Sequence, residues 1–283
     1  MPLLAYDPSS PAATRALLRE LGAAPNRTLG QNFLINPGAL DRIVTTAKLN
    51  ESDYALEIGP GLGALTTRLL DKAAQVCAIE KDPQFLDLLR MKLPALHLVA
   101  GDALKVSWDD LGLPRSNVKV VANLPYSISK PMLRRLMEEW RPQLQSATLT
   151  VQKEVAERIV AAPNTSAYGP MAIMCALHGK AQKIFDIAPG SFLPPPEVTS
   201  SVVHIEMRPT PAIEIGDEKW FWSVVRAAFG QRRKQLGNTL RAVQSDKTKL
   251  HSALQSAEID PQRRGETLSL QEFATLTAHL KSL

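Results

Sequence analysis

Cysteine is scarce in this chain. Only Cys77 and Cys175 occur in 283 residues, so no disulfide framework is implied and both thiols are expected to be buried. No stretch approaches the roughly 18 uninterrupted apolar residues of a membrane span. Residues 1–10 lack the basic start and apolar centre of an export signal. The expectation is a cytoplasmic protein with no membrane partner. Five histidines, at positions 97, 178, 204, 251 and 279, never pair with each other or with cysteine at metal-ligand spacing. No metal is expected. Internal repeats and low-complexity tracts are also missing.

What is present is enough apolar sequence, 45% of the chain, for one full α/β domain and a smaller second domain. Charge is informative by position. From Arg226 onward the chain carries ten Lys and Arg against five Asp and Glu, which equals the whole net charge of +5. Such a segment attracts polyanions, of which phosphate backbones are the commonest. Charge alone fits a solvated helical surface equally well.

The chain opens with a Pro- and Ala-rich leader and a helical stretch, Thr14 to Gly22, and Asn36-Pro37 then begins a second helix. Five apolar runs follow: Tyr54 to Ile58, Gln75 to Ile79, Leu96 to Val99, Val118 to Val121 and Ala147 to Val151. Helix-like segments separate them. Continuous apolar strands alternating with helices predict a parallel sheet covered on both faces. Runs at Lys183 to Ile187 and Ser201 to Met207 are expected as antiparallel strands closing one edge. Arg208-Pro209-Thr210-Pro211 reads as a linker, and four segments beyond it have helical periodicity. The predicted division is an α/β domain over 1–210 and a helical domain over 211–283.

Chemistry is expected where strands end. Gly59-Pro60-Gly61-Leu62-Gly63 follows the first apolar run and opens a helix, where glycines permit positive φ and close approach of a ligand. A lone pattern of this kind also occurs in plain turns and in nicotinamide-binding proteins. Glu80, at the end of the next run, is placed to accept from both hydroxyls of a ribose. Asp82 competes for that role, or caps the helix starting at Pro83. Asp102, after the third run, can accept from an exocyclic amine or serve as a turn residue.

The fourth strand end distinguishes this site from a dehydrogenase. In Asn123-Leu124-Pro125-Tyr126 the Asn123 side-chain oxygen and a main-chain carbonyl such as that of Leu124 can hold the hydrogens of a base amine. Pro125 sets the turn, and Tyr126 is placed to stack on the base, worth about 1–3 kcal/mol. This pattern suits methyl transfer from S-adenosylmethionine to an adenine nitrogen, driven by positioning and electrostatics. The plain alternative is an Asn-x-Pro loop with a surface tyrosine.

These motifs, in order, resemble the ribosomal RNA adenine dimethyltransferases, most closely their bacterial 16S type. The resemblance is carried by Leu29 to Leu34, Glu57 to Thr66, Glu80-Lys81-Asp82, Gly101-Asp102-Ala103, Asn123 to Ser129, Val151 to Arg158 and Ser191 to Ser200. It spans roughly residues 25 to 240. The glycine motif is weak alone, whereas the ordered set is highly specific. The resemblance implies a Rossmann-like S-adenosylmethionine-dependent methyltransferase domain with a small all-helical C-terminal domain.

By the same resemblance Asn32 and Leu34 help close over the cofactor, whose site Gly59, Gly61, Glu80, Asp102 and Asn123 complete. Asn123, Leu124, Pro125 and Tyr126 take the target base, with Phe192 stacking on its other face. Arg232, Arg233 and Lys234 are implied to touch rRNA phosphates. The implied substrate is two adjacent adenosines in the 3′-terminal hairpin loop of 16S rRNA, within an immature 30S subunit, each dimethylated at N6. A monomer is expected. Rival readings are the large-subunit, antibiotic-resistance branch of the family and a non-catalytic assembly or transcription factor. Leu124, the triple proline and the C-terminal domain favour the small-subunit type, and the intact glycine and Asn123 motifs favour an enzyme.

Overall fold

The computed structural model describes residues 6–26, 30–231 and 233–282. Leu29 of the expected arm and Arg232 of the basic element therefore lie outside the described residues. Helix α1 (Pro11–Glu20) and the short strand β1 (Phe33–Leu34) precede α2 (Pro37–Ala47). Helix α2 starts where Asn36 accepts from the Ala39 N–H, with Pro37 in the first turn. Then β2 (Tyr54–Ile58), α3 (Ala64–Leu70), β3 (Gln75–Glu80), α4 (Pro83–Lys92) and β4 (His97–Ala100) alternate. They lead to β5 (Val118–Asn123), α5 (Ser129–Glu138) and β6 (Leu144–Gln152). Helices α6 (Lys153–Ile159) and α7 (Pro170–His178) separate these from β7 (Gly179–Ile187), β8 (Phe192–Leu193) and β9 (Ser200–Met207).

Seven strands form one sheet in the order β4-β3-β2-β5-β6-β9-β7. Strands β2 to β6 pair in parallel and β9 runs antiparallel to β6. The apolar runs are continuous because both faces are covered, and Ala55, Val76, Val120 and Leu149 are fully buried. Strand order reverses between β2 and β5, so their carboxyl ends open a crevice of the kind that holds ligands in such sheets. All five parallel strands fall on the predicted runs, with β6 beginning earlier than expected at Leu144.

A second ladder was not legible. Strand β1 pairs antiparallel with β8, Phe33 opposite Leu193 and Leu34 opposite Phe192. Two-residue strands carry no periodicity, so only the fold reveals them.

Contacts divide the chain into two compact units, one running through Ala156 and including Ala181–Met207, the other Glu157–Lys180 with Arg208 onward. This differs from the predicted boundary at 210. Tyr168, Ala172, Ile173 and Leu177 bury with Phe221, Leu236, Phe273 and Leu276 in the core of the second unit. An apolar helix such as α7 does not disclose from its own sequence which core it joins. The second unit also holds α8 (Glu218–Phe229), α9 (Leu236–Thr239), α10 (Lys247–Ser256) and α11 (Leu270–Lys281). Helix α11 begins with a capping box between Ser269 and Glu272.

Candidate active site

The carboxyl ends of β2, β3, β4 and β5 surround a cavity of about 310 Å³. Gly59, Gly61, Glu80, Asp102 and Asn123 line it, as do Asn32 and Leu34 of the arm and Leu124, Pro125 and Tyr126. Most of the residues expected from the sequence thus surround one space.

The glycine turn takes the shape its composition allows. Gly59 and Gly61 have φ of 69° and 55°, a region that costs other residues about 1–2 kcal/mol. A Cβ on Gly61 would also stand 3.0 Å from the Phe33 ring. Glu80 braces the turn from the neighbouring strand. Its carboxylate accepts the Gly61 N–H at 3.0 Å and the Asp82 N–H at 2.7 Å. Burial raises its pKa despite these hydrogen bonds. Two oxygens offer about four acceptor positions, so the carboxylate keeps acceptor capacity beside the cavity it lines.

Asp102 and Asp82 separate by geometry. Asp102 accepts from the Leu104 N–H at 2.9 Å and pairs with the Lys81 ammonium at 3.0 Å. These partners, the backbone N–H foremost, hold its carboxyl below the usual range. Asp82 instead caps α4 by accepting from Gln84 N–H at 3.1 Å, and its other oxygen accepts from Gln31 Nε2 at 2.8 Å. Of its two expected roles, Asp82 takes the cap, with the arm as an added partner.

At the end of β5, Asn123 Nδ2 donates to the Asn32 carbonyl at 3.1 Å. With that end of the amide engaged, its oxygen is the end available to accept from a ligand. Leu124 is 1% exposed and its N–H donates to Thr150. The Pro125 carbonyl accepts from Ile128 N–H and Ser129 Oγ, both at 3.1 Å. Tyr126 is half-buried, its hydroxyl 2.5 Å from Ser200 Oγ, and burial pushes its pKa up, so the phenol stays neutral.

Phe192 departs from expectation. It is 2% exposed and packs with Leu34, Leu40 and Ile43 in a core cluster, and it is not among the residues lining the cavity. Pairing of β1 with β8 puts Phe192 beside Leu34 on one face of the ladder, and that face meets the core. A stacking position against Tyr126 is therefore not formed in this structure.

Glu57 was not anticipated. It lines the cavity at 2% exposure and accepts from Thr66 Oγ1 at 2.6 Å. Burial pushes its carboxyl up to about 8, beyond the lowering effect of the Thr66 hydrogen bond. The available signal was a carboxylate inside an otherwise apolar strand.

The basic segment is less uniform than its sequence. Arg233 and Lys234 are exposed, whereas Arg263 pairs with Glu272 and Lys281 with Asp217. Both cysteines are buried. Among the described residues no cluster of metal-binding side chains occurs, and no helix is long and apolar enough to cross a membrane.

A mostly parallel α/β sheet with a glycine turn, a bracing acid and an Asn-Leu-Pro-Tyr loop at successive strand ends defines a Rossmann-like methyltransferase. The model of one family, described as ribosomal RNA adenine dimethylase, matches residues 23–278. The chain belongs to that family, and it is an rRNA-modifying methyltransferase.

It is 44% identical over 269 residues to the ribosomal RNA small subunit methyltransferase A of Magnetococcus marinus, covering 93% of this chain and 94% of that one. The protein of the same name from Pelotomaculum thermopropionicum is 41% identical over 282 residues, with 95% of each chain covered. Among solved structures, a dimethyladenosine transferase from Plasmodium falciparum superposes with a TM-score of 0.75 at 28% identity, over 86% of this chain and 95% of that one. The 23S rRNA methyltransferase ErmE gives 0.67 at 25% identity, over 88% and 100%.

Proposed function

We propose that the enzyme uses S-adenosylmethionine to dimethylate N6 of two adjacent adenosines in the 3′-terminal hairpin loop of 16S rRNA, acting on an immature 30S subunit. The residues around the cavity fit this cofactor. Positive-φ glycines let the backbone approach a ligand closely, Glu80 is buried yet keeps acceptor capacity for a ribose, and Asp102 offers an acceptor for an adenine amine. S-adenosylmethionine supplies a methyl group on a sulfonium, a leaving group good enough that no side chain of tuned pKa is required.

The observation that carries the reading is the state of Asn123. Its amide nitrogen is tied to the Asn32 carbonyl, so its oxygen can accept from the target amine and favour the pyramidal nitrogen. Tyr126, neutral and half-buried, provides a ring face for the base. Arg232, Arg233 and Lys234 are assigned to rRNA phosphates, and a monomer working in the cytoplasm is the accompanying reading. Similarity to small-subunit enzymes over nearly the whole chain supports 16S rRNA as the substrate.

The test is incorporation of tritiated methyl from S-adenosylmethionine into undermethylated 30S subunits, followed by nucleoside analysis. Dimethyladenosine confined to 16S rRNA is expected. Label in 23S rRNA instead, or tight 30S binding without transfer, overturns the assignment.

A further inference from the structure

The helix that follows the Asn123–Tyr126 loop also holds the loop that follows β4. Arg135, two turns into α5, is 9% exposed. Its Nη1 donates to the Ala103 carbonyl, its Nη2 to the Val106 carbonyl at 2.6 Å and its Nε to Glu139 at 2.9 Å. The guanidinium lies 4.4 Å over the Trp140 ring, which meets Trp108 edge-on at 5.4 Å. One side chain thereby gathers a buried aromatic pair and two main-chain carbonyls.

Those carbonyls belong to the turn that presents Asp102. Lys105 and Val106 N–H groups donate to the Asp102 carbonyl at 2.7 and 3.0 Å, and Leu104 N–H to its carboxylate at 2.9 Å. At the other end of the same helix, Ser129 Oγ donates to the Pro125 carbonyl at 3.1 Å. Six residues, about 9 Å of helix rise, separate the two anchor points. A single rigid element therefore touches both the Asp102 turn and the Asn123–Tyr126 loop.

We propose that Arg135 is a positioning residue for the methyl transfer. By clamping the Asp102 turn to α5, it sets where the cofactor adenine is gripped relative to the loop that presents the target amine. This rests on the cofactor reading of Asp102 given above. Arginine suits the task because its planar fork reaches two carbonyls at once while its face packs on Trp140, whereas a lysine ammonium is a point charge on a flexible stem.

The experiment is calorimetric titration of S-adenosylmethionine into the full-length protein, its Arg135→Met, Arg135→Lys and Asp102→Asn variants and the Arg135→Met/Asp102→Asn double variant. Steady-state kinetics on 30S subunits accompany it. Wild type failing to bind the cofactor would refute the cofactor reading itself, separately from the role of Arg135. Arg135→Met is expected to raise the cofactor Kd and KM about tenfold by leaving two main-chain carbonyls, that of Ala103 buried and that of Val106 partly so, without their partner, with the KM for 30S subunits unchanged.

Arg135→Lys is expected to recover part of that loss. The double variant should bind no more weakly than Asp102→Asn alone, because both changes act through one turn. Wild-type cofactor affinity in Arg135→Met, or losses that simply multiply in the double variant, overturn the proposal. Should Arg135→Met fail to fold, as judged by the absence of a cooperative thermal transition, Arg135→Lys decides. An unchanged Kd in that variant also overturns it.

Discussion

The glycine turn after β2 and the Asn123–Tyr126 loop after β5 occupy equivalent strand ends but are held differently. Main-chain N–H donors shape the first: Gly59 to the Ile79 carbonyl, Gly63 to the Pro60 carbonyl and Gly61 to the Glu80 carboxylate, at 2.9, 2.9 and 3.0 Å. The second relies on side chains and distant segments, Asn123 bound to an arm residue 91 positions away and Tyr126 to Ser200, 74 away. A backbone cradle depends on a few glycines and one carboxylate. A side-chain wall depends on how separate segments dock, so single substitutions should act on the two halves in separable ways.

The largest effect is expected at Asn123. Asn123→Ala should lower kcat by about 10²–10³-fold, as losing a preorganised polar group at a reacting centre typically does. The cofactor Kd from calorimetry should change far less, because Gly59, Gly61, Glu80 and Asp102 still line its site. Gly61→Val should do the reverse. A left-handed φ and a Cβ 3.0 Å from Phe33 predict a cofactor Kd raised on the order of 10- to 100-fold, with 30S binding retained in a filter assay. If both variants lose cofactor and RNA affinity together, the two halves are not independent.

Phe192 sharpens the contrast from a third side. As a buried core ring, Phe192→Ala should cost about 3–5 kcal/mol of stability in denaturant unfolding. Phe192→Leu, which keeps most of the apolar volume, should retain kcat/KM on 30S subunits. A stable Phe192→Leu protein with activity as low as that of Phe192→Ala would show that the ring leaves its core position to meet the base.

A further expected effect, read in stability and not in activity, is the pH dependence set by Glu57. Its carboxyl is raised to about 8 in the folded protein from an ordinary 4.5. Between those values the folded state keeps a proton that the unfolded chain has released, so stability falls as pH rises through this window. Glu57→Gln removes the titrating group. The difference in Tm between Glu57→Gln and wild type should therefore grow from pH 5 to pH 9, and a constant difference in calorimetric melts would contradict the burial argument.

What the sequence determined by itself was local. Apolar runs specified the parallel strands, and Gly59, Gly61, Glu80, Asp102 and Asn123 could be placed at their ends because backbone conformation and strand termination are written in adjacent residues. Tertiary structure alone decided the β1–β8 ladder and the burial of Phe192. It also assigned residues 157–180 to the second core and bound Arg135 to carbonyls 29 and 32 positions away. Each of these joins segments remote in sequence, and no local pattern records which distant partner will satisfy a buried ring, an apolar helix or a guanidinium.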